Sequence, residues 1–185
     1  MDAATGKYWL DFFNLGQAGV GFTVYASNRT DGPWYYTVES GKTLSDHWSA
    51  VSVTGGIYDL SVQGPNGFLR QFKGDLSKAI SATGANPELR VTYESGLNSL
   101  KRYLRNSGRV ACRLTLSANL YSSEPARSFD LGAGASMELD WPLTDSQNWY
   151  DFSLTSSSDT GFLRRIAGHA ENGLPGVSDP AIGRS

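Results

Sequence analysis

YDLSVQGPNGFLRQFKG, residues 58–74, decides how the rest of the chain is read, because it occurs twice. YDFSL returns at Tyr150–Leu154, 92 residues on (150 − 58), and GFLRRIAG at Gly161–Gly168, 94 residues on (161 − 67). Of the 13 aligned pairs, eight are identical: Tyr58/Tyr150, Asp59/Asp151, Ser61/Ser153, Gly67/Gly161, Phe68/Phe162, Leu69/Leu163, Arg70/Arg164 and Gly74/Gly168. The offset changes between the two halves, GPN against SSSDT, where a hairpin loop tolerates insertion. The Asn66-Gly67 step between two strand-like runs is a hairpin signal. The chain therefore reads as two copies of one unit, each ending in strand–turn–strand.

Outward from this stretch the correspondence continues. Leu100–Asn106 lies under Tyr8–Asn14, and Asn106 and Gly108 lie under Asn14 and Gly16. Val110–Leu116 matches the strand around Phe22, Ser128–Leu131 matches Tyr36–Glu39, and Met137–Trp141 roughly matches Leu44–Trp48. Strands are expected over residues 7–14, 20–26, 34–39, 57–62 and 68–73, with one or two more within 43–53. NRTDGP at 28–33 and Ser40-Gly41 break the chain between them. Val110, Cys112, Leu114 and Leu116 alternate and should face a core. Ser99–Arg105 is the best helix candidate, but its alignment with the Tyr8 strand argues against a helix. ELRVTY at 88–93 is an extra strand whose counterpart would lie before residue 1, so the first copy is expected to lack its first strand.

Strands at this spacing predict an all-β chain of two tandem antiparallel β-sandwich domains of the same immunoglobulin- or C2-like fold. The expected divisions are 1–76 for the first repeat, 77–87 for a small, polar linker, 88–170 for the second repeat and 171–185 for an extended or mobile tail.

Charge is balanced in both halves. Residues 1–85 carry 6 basic and 7 acidic side chains, residues 86–185 carry 10 and 11, and the net charge is −2. Nothing here is the basic footprint of a nucleic-acid partner. Cys112 is the single cysteine, so no disulfide forms within the chain, which does not exclude export. No signal peptide and no transmembrane run is read. The opening MDAATGKYWLDF enters a strand within a few residues, as expected of a piece of a longer protein.

Catalytic motifs are scarce. His47 and His169 sit in different copies without a ligand-spaced partner, so no metal site is expected, and no nucleotide loop or G-x-S-x-G elbow is present. Asp59/Asp151 and Arg70/Arg164 recur in both copies, either as a ligand clamp or, the favoured reading, as a cross-strand ion pair in the closing hairpin. Tyr58, Tyr150, Phe68 and Phe162 read as core. Trp34, Tyr35, Tyr36 and Trp48 make the first copy the aromatic-rich one, the second having Arg127-Ser128-Phe129 near the first cluster; an aromatic box holds quaternary ammonium groups, and exposed rings suit a membrane interface, while the alternative is simple core packing. Lys101, Arg102, Arg105, Arg109 and Arg113 crowd the first expected hairpin of the second copy. Lys101 and Arg105 would share a face opposite Arg109 and Arg113, either as a phosphate-binding stripe or as a solvated face.

The repeated stretch, with DGPWYYTVESGKTL before it and GFLRRIAGHAENGLPGVSDPAIG at the end, resembles the C-terminal repeat domains of bacterial phosphocholine-specific phospholipase C, of the haemolytic and non-haemolytic types. The resemblance covers nearly the whole chain; the GPNGF turn and the closing SDPAIG are its most specific parts. It implies two such domains behind a large N-terminal phosphoesterase domain similar to acid phosphatases. It also implies a parent enzyme that releases phosphocholine from phosphatidylcholine or sphingomyelin and is exported folded by the twin-arginine route. The nucleophile and metal ligands of that family belong to the N-terminal domain, and no residue here matches them, so neither catalytic residue nor cofactor is expected in this chain. Three roles stay open for it: engaging choline-lipid membranes, docking on the catalytic domain or an accessory protein, and binding carbohydrate.

Overall fold

The computed structural model describes residues 4–94, 99–173 and 175–182. In the first repeat the strands are β1 (Tyr8–Phe13), β2 (Val20–Ala26), β3 (Trp34–Val38), β4 (Thr43–Trp48), β5 (Ile57–Gln63) and β6 (Leu69–Asp75). The second repeat holds β7 (Pro87–Glu94), β8 (Ser99–Asn106), β9 (Cys112–Leu120), β10 (Arg127–Leu131), β11 (Ser136–Pro142), β12 (Trp149–Ser156) and β13 (Asp159–His169). All sheet pairing is antiparallel. The chain is all-β, as the alternation and turn spacing require, and the Leu100 segment is a strand.

Three sheets make up the molecule. One has eight strands in the order β10-β9-β12-β13-β6-β5-β2-β3; the others are β1-β4 and β11-β8-β7. The eight-stranded sheet spans both repeats because β6 pairs with β13. Its register is self-matching: Arg164 faces Phe72 and Ile166 faces Arg70, with Gln71 opposite Arg165 at the centre. Adding the 94-residue offset to one pair gives the other (70 + 94 = 164; 72 + 94 = 166), so the repeats meet about a local two-fold axis, as in an isologous interface. Both small sheets cover the same face of the large one. Tyr8 of β1 and the carboxylate of Glu88 on β7 both lie against Arg164.

Burial follows the pleat. Tyr8, Leu10 and Phe12 face inward from β1 and meet Tyr58, Leu60 and Val62 from β5. In the second repeat Leu100 and Leu104 face Cys112, Leu114, Leu116, Phe152 and Leu154. Each strand turns one face to apolar neighbours and so removes that area from water. The connections from β1 and from β8 to the large sheet are each held by a repeated asparagine. Asn14 Nδ2 donates to the carbonyls of Ala18 and Val38, and its Oδ1 accepts from the Gly16 amide. Asn106 does the same with Val110, Leu131 and Gly132, and accepts from Gly108 and Asn86. The repeated Gly74 and Gly168 have a packing reason: a Cβ there would come within 2.5 and 2.7 Å of the Tyr58 and Tyr150 hydroxyls.

One local expectation is corrected, and the stretches read as linker and tail make contacts of their own. Residues 50–54 form a short helix, α1 (Ala50–Thr54), instead of a strand. Gly55 closes it in the left-handed conformation and the Gly56 amide reaches back to Ala50, a helix-ending geometry that overrides the β-branched alternation. Residues 77–87 are packed, with a second short helix, α2 (Leu76–Ala79), and with Gly84 and Asn86 accepting backbone bonds from Arg109 and Ser107. The tail is extended but anchored: Trp149 Nε1 donates to Val177 and the Tyr121 hydroxyl to Asp179.

Candidate functional site

At the β6–β13 junction, each repeat extends an arginine toward the other. Arg164 is 1% exposed. Its Nε and Nη2 reach the two oxygens of Glu88 at 2.7 and 3.2 Å, and Nη1 donates to the carbonyls of Lys73 and Leu163, both at 3.0 Å. Nη2 also reaches the Tyr58 hydroxyl at 3.0 Å, and Phe162 and Tyr58 lie against the guanidinium, 4.4 and 5.4 Å from their ring centroids. A planar fork meets a carboxylate with two parallel bonds, so this is the strong form of the ion pair. Burial works to lower the Arg164 pKa, but Glu88, with Tyr8 and Tyr58 behind it, reverses the direction and holds it above the ordinary arginine value.

Arg70 repeats the pattern with one part missing. Nη1 donates to the carbonyls of Leu69 and Ala167 at 2.8 and 2.7 Å, and Nη2 approaches the Tyr150 hydroxyl at 3.3 Å. Phe68 lies against it at 4.2 Å, and the Tyr93 hydroxyl touches that of Tyr150. The contacts of Arg70 itself are the counterparts of those of Arg164, residue for residue; the Tyr93 contact, from β7, has none. No carboxylate among the described residues forms an ion pair with Arg70. Glu88 comes from β7, and among the described residues the first repeat's small sheet contains β1 and β4 alone.

The expected pairing of the repeated aspartates with the repeated arginines does not occur. Neighbours on β5 and β6 have numbers summing to 132, as in Val62 with Arg70, so Asp59 and Arg70 point to opposite faces. Asp59 instead meets Lys73 at 3.0 Å. Asp151, buried on the outer face of the large sheet, takes two bonds from Arg165 at 2.9 and 2.6 Å and one from Asn119. Tyr58, Tyr150 and Phe162 are buried, while Phe68 is half-buried.

The surface candidates are dispersed. Trp48 is 4% exposed. Trp34 packs edge-on against it, and Tyr36 turns inward to stack on Phe12, its hydroxyl bonded to Asp46. Of the four aromatics, Tyr35 alone stands on the outer face, 75% exposed. The basic stripe is also split, because β8 and β9 are not a hairpin but belong to different sheets. Lys101 and Arg105 ride the small sheet, Arg113 lies on β9 with Asp130 3.9 Å away, and Arg109 sits in the crossing loop.

Two residues of the junction were not singled out by the sequence, and a third, in the core, was read only as part of the basic stripe. Glu88 lies 76 residues from Arg164, and only its place in the unmatched strand sets it apart. Tyr93 shares that strand. Arg102 has the parity of Leu100 and Leu104, which is a core signal for an arginine. It is buried, with Trp141 and Phe152 4.5 and 5.6 Å from its guanidinium carbon, and burial draws its pKa down to about 10. It donates through Nη2 to the Asp140 carbonyl, while its Nε and Nη1 have no partner among the described residues. No group of three His, Cys, Asp or Glu side chains able to hold a metal ion occurs among the described residues.

The geometry is that of a β-sheet repeat module in which recurring polar residues fasten one repeat to the other. Its sequence places it in a family: residues 1–75 and 87–169 match the family described as bacterial phospholipase C, C-terminal domain, and the chain belongs to that family. The non-hemolytic phospholipase C of Burkholderia pseudomallei is 47% identical over 98% of the chain. From Pseudomonas aeruginosa, a non-hemolytic phospholipase C is 38% identical over 94% of the chain, and a hemolytic phospholipase C is 36% identical over 98%. The chain spans about a quarter of the length of these relatives, 26, 25 and 27% respectively.

Proposed function

We propose that this chain is the non-catalytic C-terminal region of a secreted bacterial phospholipase C and that it stabilises the larger catalytic part by docking against it. The parent would release phosphocholine from phosphatidylcholine or sphingomyelin with an active site in its N-terminal phosphoesterase domain, and would leave the cell folded by the twin-arginine route. Within that reading, residues 1–76 and 88–170 act as the two domains, joined by 77–87 and followed by the tail 171–185. The observation that carries the docking role is that the residues recurring in both repeats are spent inside the molecule. Arg70, Arg164, Tyr58 and Tyr150 bond across the junction and fasten repeat to repeat.

Removal of residues 1–185 from the full-length enzyme tests this. The expected result is a lower melting temperature of the remaining catalytic part and an equal fall of turnover on phosphatidylcholine vesicles and on a short-chain, water-soluble phosphatidylcholine. A fall on vesicles alone, with heat stability unchanged, would assign the region to membrane engagement instead. One observation keeps that second reading in play: Tyr35, with Tyr25 nearby, is exposed on the outer face of the large sheet. Exposed aromatic rings on a sheet also suit a sugar, and saturable glycan binding lost in Tyr35→Ala would favour the carbohydrate reading.

A further inference from the structure

The two repeats differ by one strand, and the difference leaves a site. In the second repeat β7 lies along β8 from Pro87 opposite Asn106 to Glu94 opposite Ser99, and it places Glu88 on Arg164. β8 corresponds to β1 at an offset of 92 (Leu100 to Tyr8). On β1, the edge corresponding to the one β7 covers on β8 carries no strand among the described residues. Beneath that edge Phe68, Arg70 and Phe72 are only half-buried, whereas their counterparts Phe162, Arg164 and Ile166 are fully buried. An open edge offers unpaired backbone donors and acceptors. Arg70 adds a positive charge with no carboxylate opposite it.

We propose that this edge receives an added antiparallel strand whose carboxylate closes on Arg70, and that the strand is the polypeptide directly preceding residue 1 in the longer protein. Register fixes the position of the acid. Glu88 stands opposite Arg105, so its equivalent stands opposite Phe13 (105 − 92 = 13), which is 59% exposed. Chain direction fixes the source. Residues 4–6 form a turn leading into β1, which is the place that the loop between β7 and β8 holds in the second repeat. A strand of β7's eight residues placed there reaches upstream of residue 1. The relatives, about four times as long as this chain, have the length to supply it. Main-chain bonds would give the affinity and the carboxylate the register, the usual division of labour in strand addition.

The inference rests on the reading that the chain is part of a longer enzyme. Its test compares the chain as it stands with the chain lengthened by about ten residues from its own gene, a typical strand plus its lead. The lengthened chain is expected to melt about 5 °C higher and to exchange its β1 amides at least tenfold more slowly. Arg70→Met should lower the melting temperature at least twice as far in the lengthened chain as in the short one. An unchanged melting temperature and exchange rate would overturn the proposal, and equal effects of Arg70→Met in both chains would overturn the carboxylate. Failure of the parent reading would appear elsewhere, in the truncated full-length enzyme, whose readout does not involve β1.

Discussion

Arg70 and Arg164 occupy the same place in the repeat and live in different surroundings. Both donate to two backbone carbonyls and to the tyrosine of the opposite repeat. Arg164 alone has a carboxylate and full burial. The contrast separates what the repeat encodes, a reciprocal arginine–tyrosine fastening, from what one additional strand contributes, a half-exposed carboxylate paired with a buried guanidinium. A buried charge is costly unless it is paired, so the closed site depends on its acid while the half-open site leans on water.

The largest effect should come from Arg164→Ala, which takes the donor from two carbonyls and the Tyr58 hydroxyl and the cation from the half-exposed Glu88. Losing these charge-assisted bonds and leaving the space of a buried side chain costs about 3–4 kcal/mol, so the melting temperature should fall by roughly 10 °C or more. Arg70→Ala should cost about 1–2 kcal/mol, the value of hydrogen bonds from a partly solvated cation. Equal losses in thermal melts would show that Glu88 adds nothing and would erase the distinction between the sites.

The repeated asparagines sharpen the same comparison at a smaller scale. Asn106 serves three carbonyls and two amides; Asn14 serves two and one. Asn106→Ala should cost about 2–3 kcal/mol and Asn14→Ala about 1–2, read from urea unfolding midpoints.

Acid supplies the smallest effect. Asp159 of the second repeat bonds Lys78 and the Asp75 amide of the first. Burial acts to raise its pKa, but Lys78 and the Gly161 and Asp75 amides outweigh this and hold it below the usual aspartate value. A carboxylate depressed in the folded state contributes fully above its unfolded pKa, about 3.9, and loses that contribution as the pH falls through the folded value. The Asp159→Asn chain should therefore melt within about 3 °C of the parent at pH 7, and the gap should close below pH 4.

Much of this comparison was legible in the sequence. The doubled Tyr-Asp…Gly-Phe-Leu-Arg stretch locates both arginines and both tyrosines, and the unmatched ELRVTY run marks the strand that makes the repeats unequal. Tertiary pairing was not legible. Nothing local tells Arg164 that its acid is Glu88, since a sheet brings together residues with no fixed spacing. Counting parity would have separated Asp59 from Arg70 and flagged Arg102 as an inward arginine. The aromatic run at Trp34–Tyr36 looked like a surface because its composition is unusual, yet alternation sends Trp34 and Tyr36 inward and leaves Tyr35 outside. The basic run is split for another reason: strands adjacent in sequence read as a hairpin, whereas here the chain crosses from one sheet to the other.

Calorimetric unfolding of the chain tests the central claim most directly, that the β6–β13 pairing and its two arginines make the repeats one cooperative structure. The account predicts a single transition whose calorimetric and van't Hoff enthalpies agree, shifted downward as a whole by Arg164→Ala. Two separate transitions, with one of them indifferent to Arg164→Ala, would contradict it and leave the repeats as independent units that merely touch.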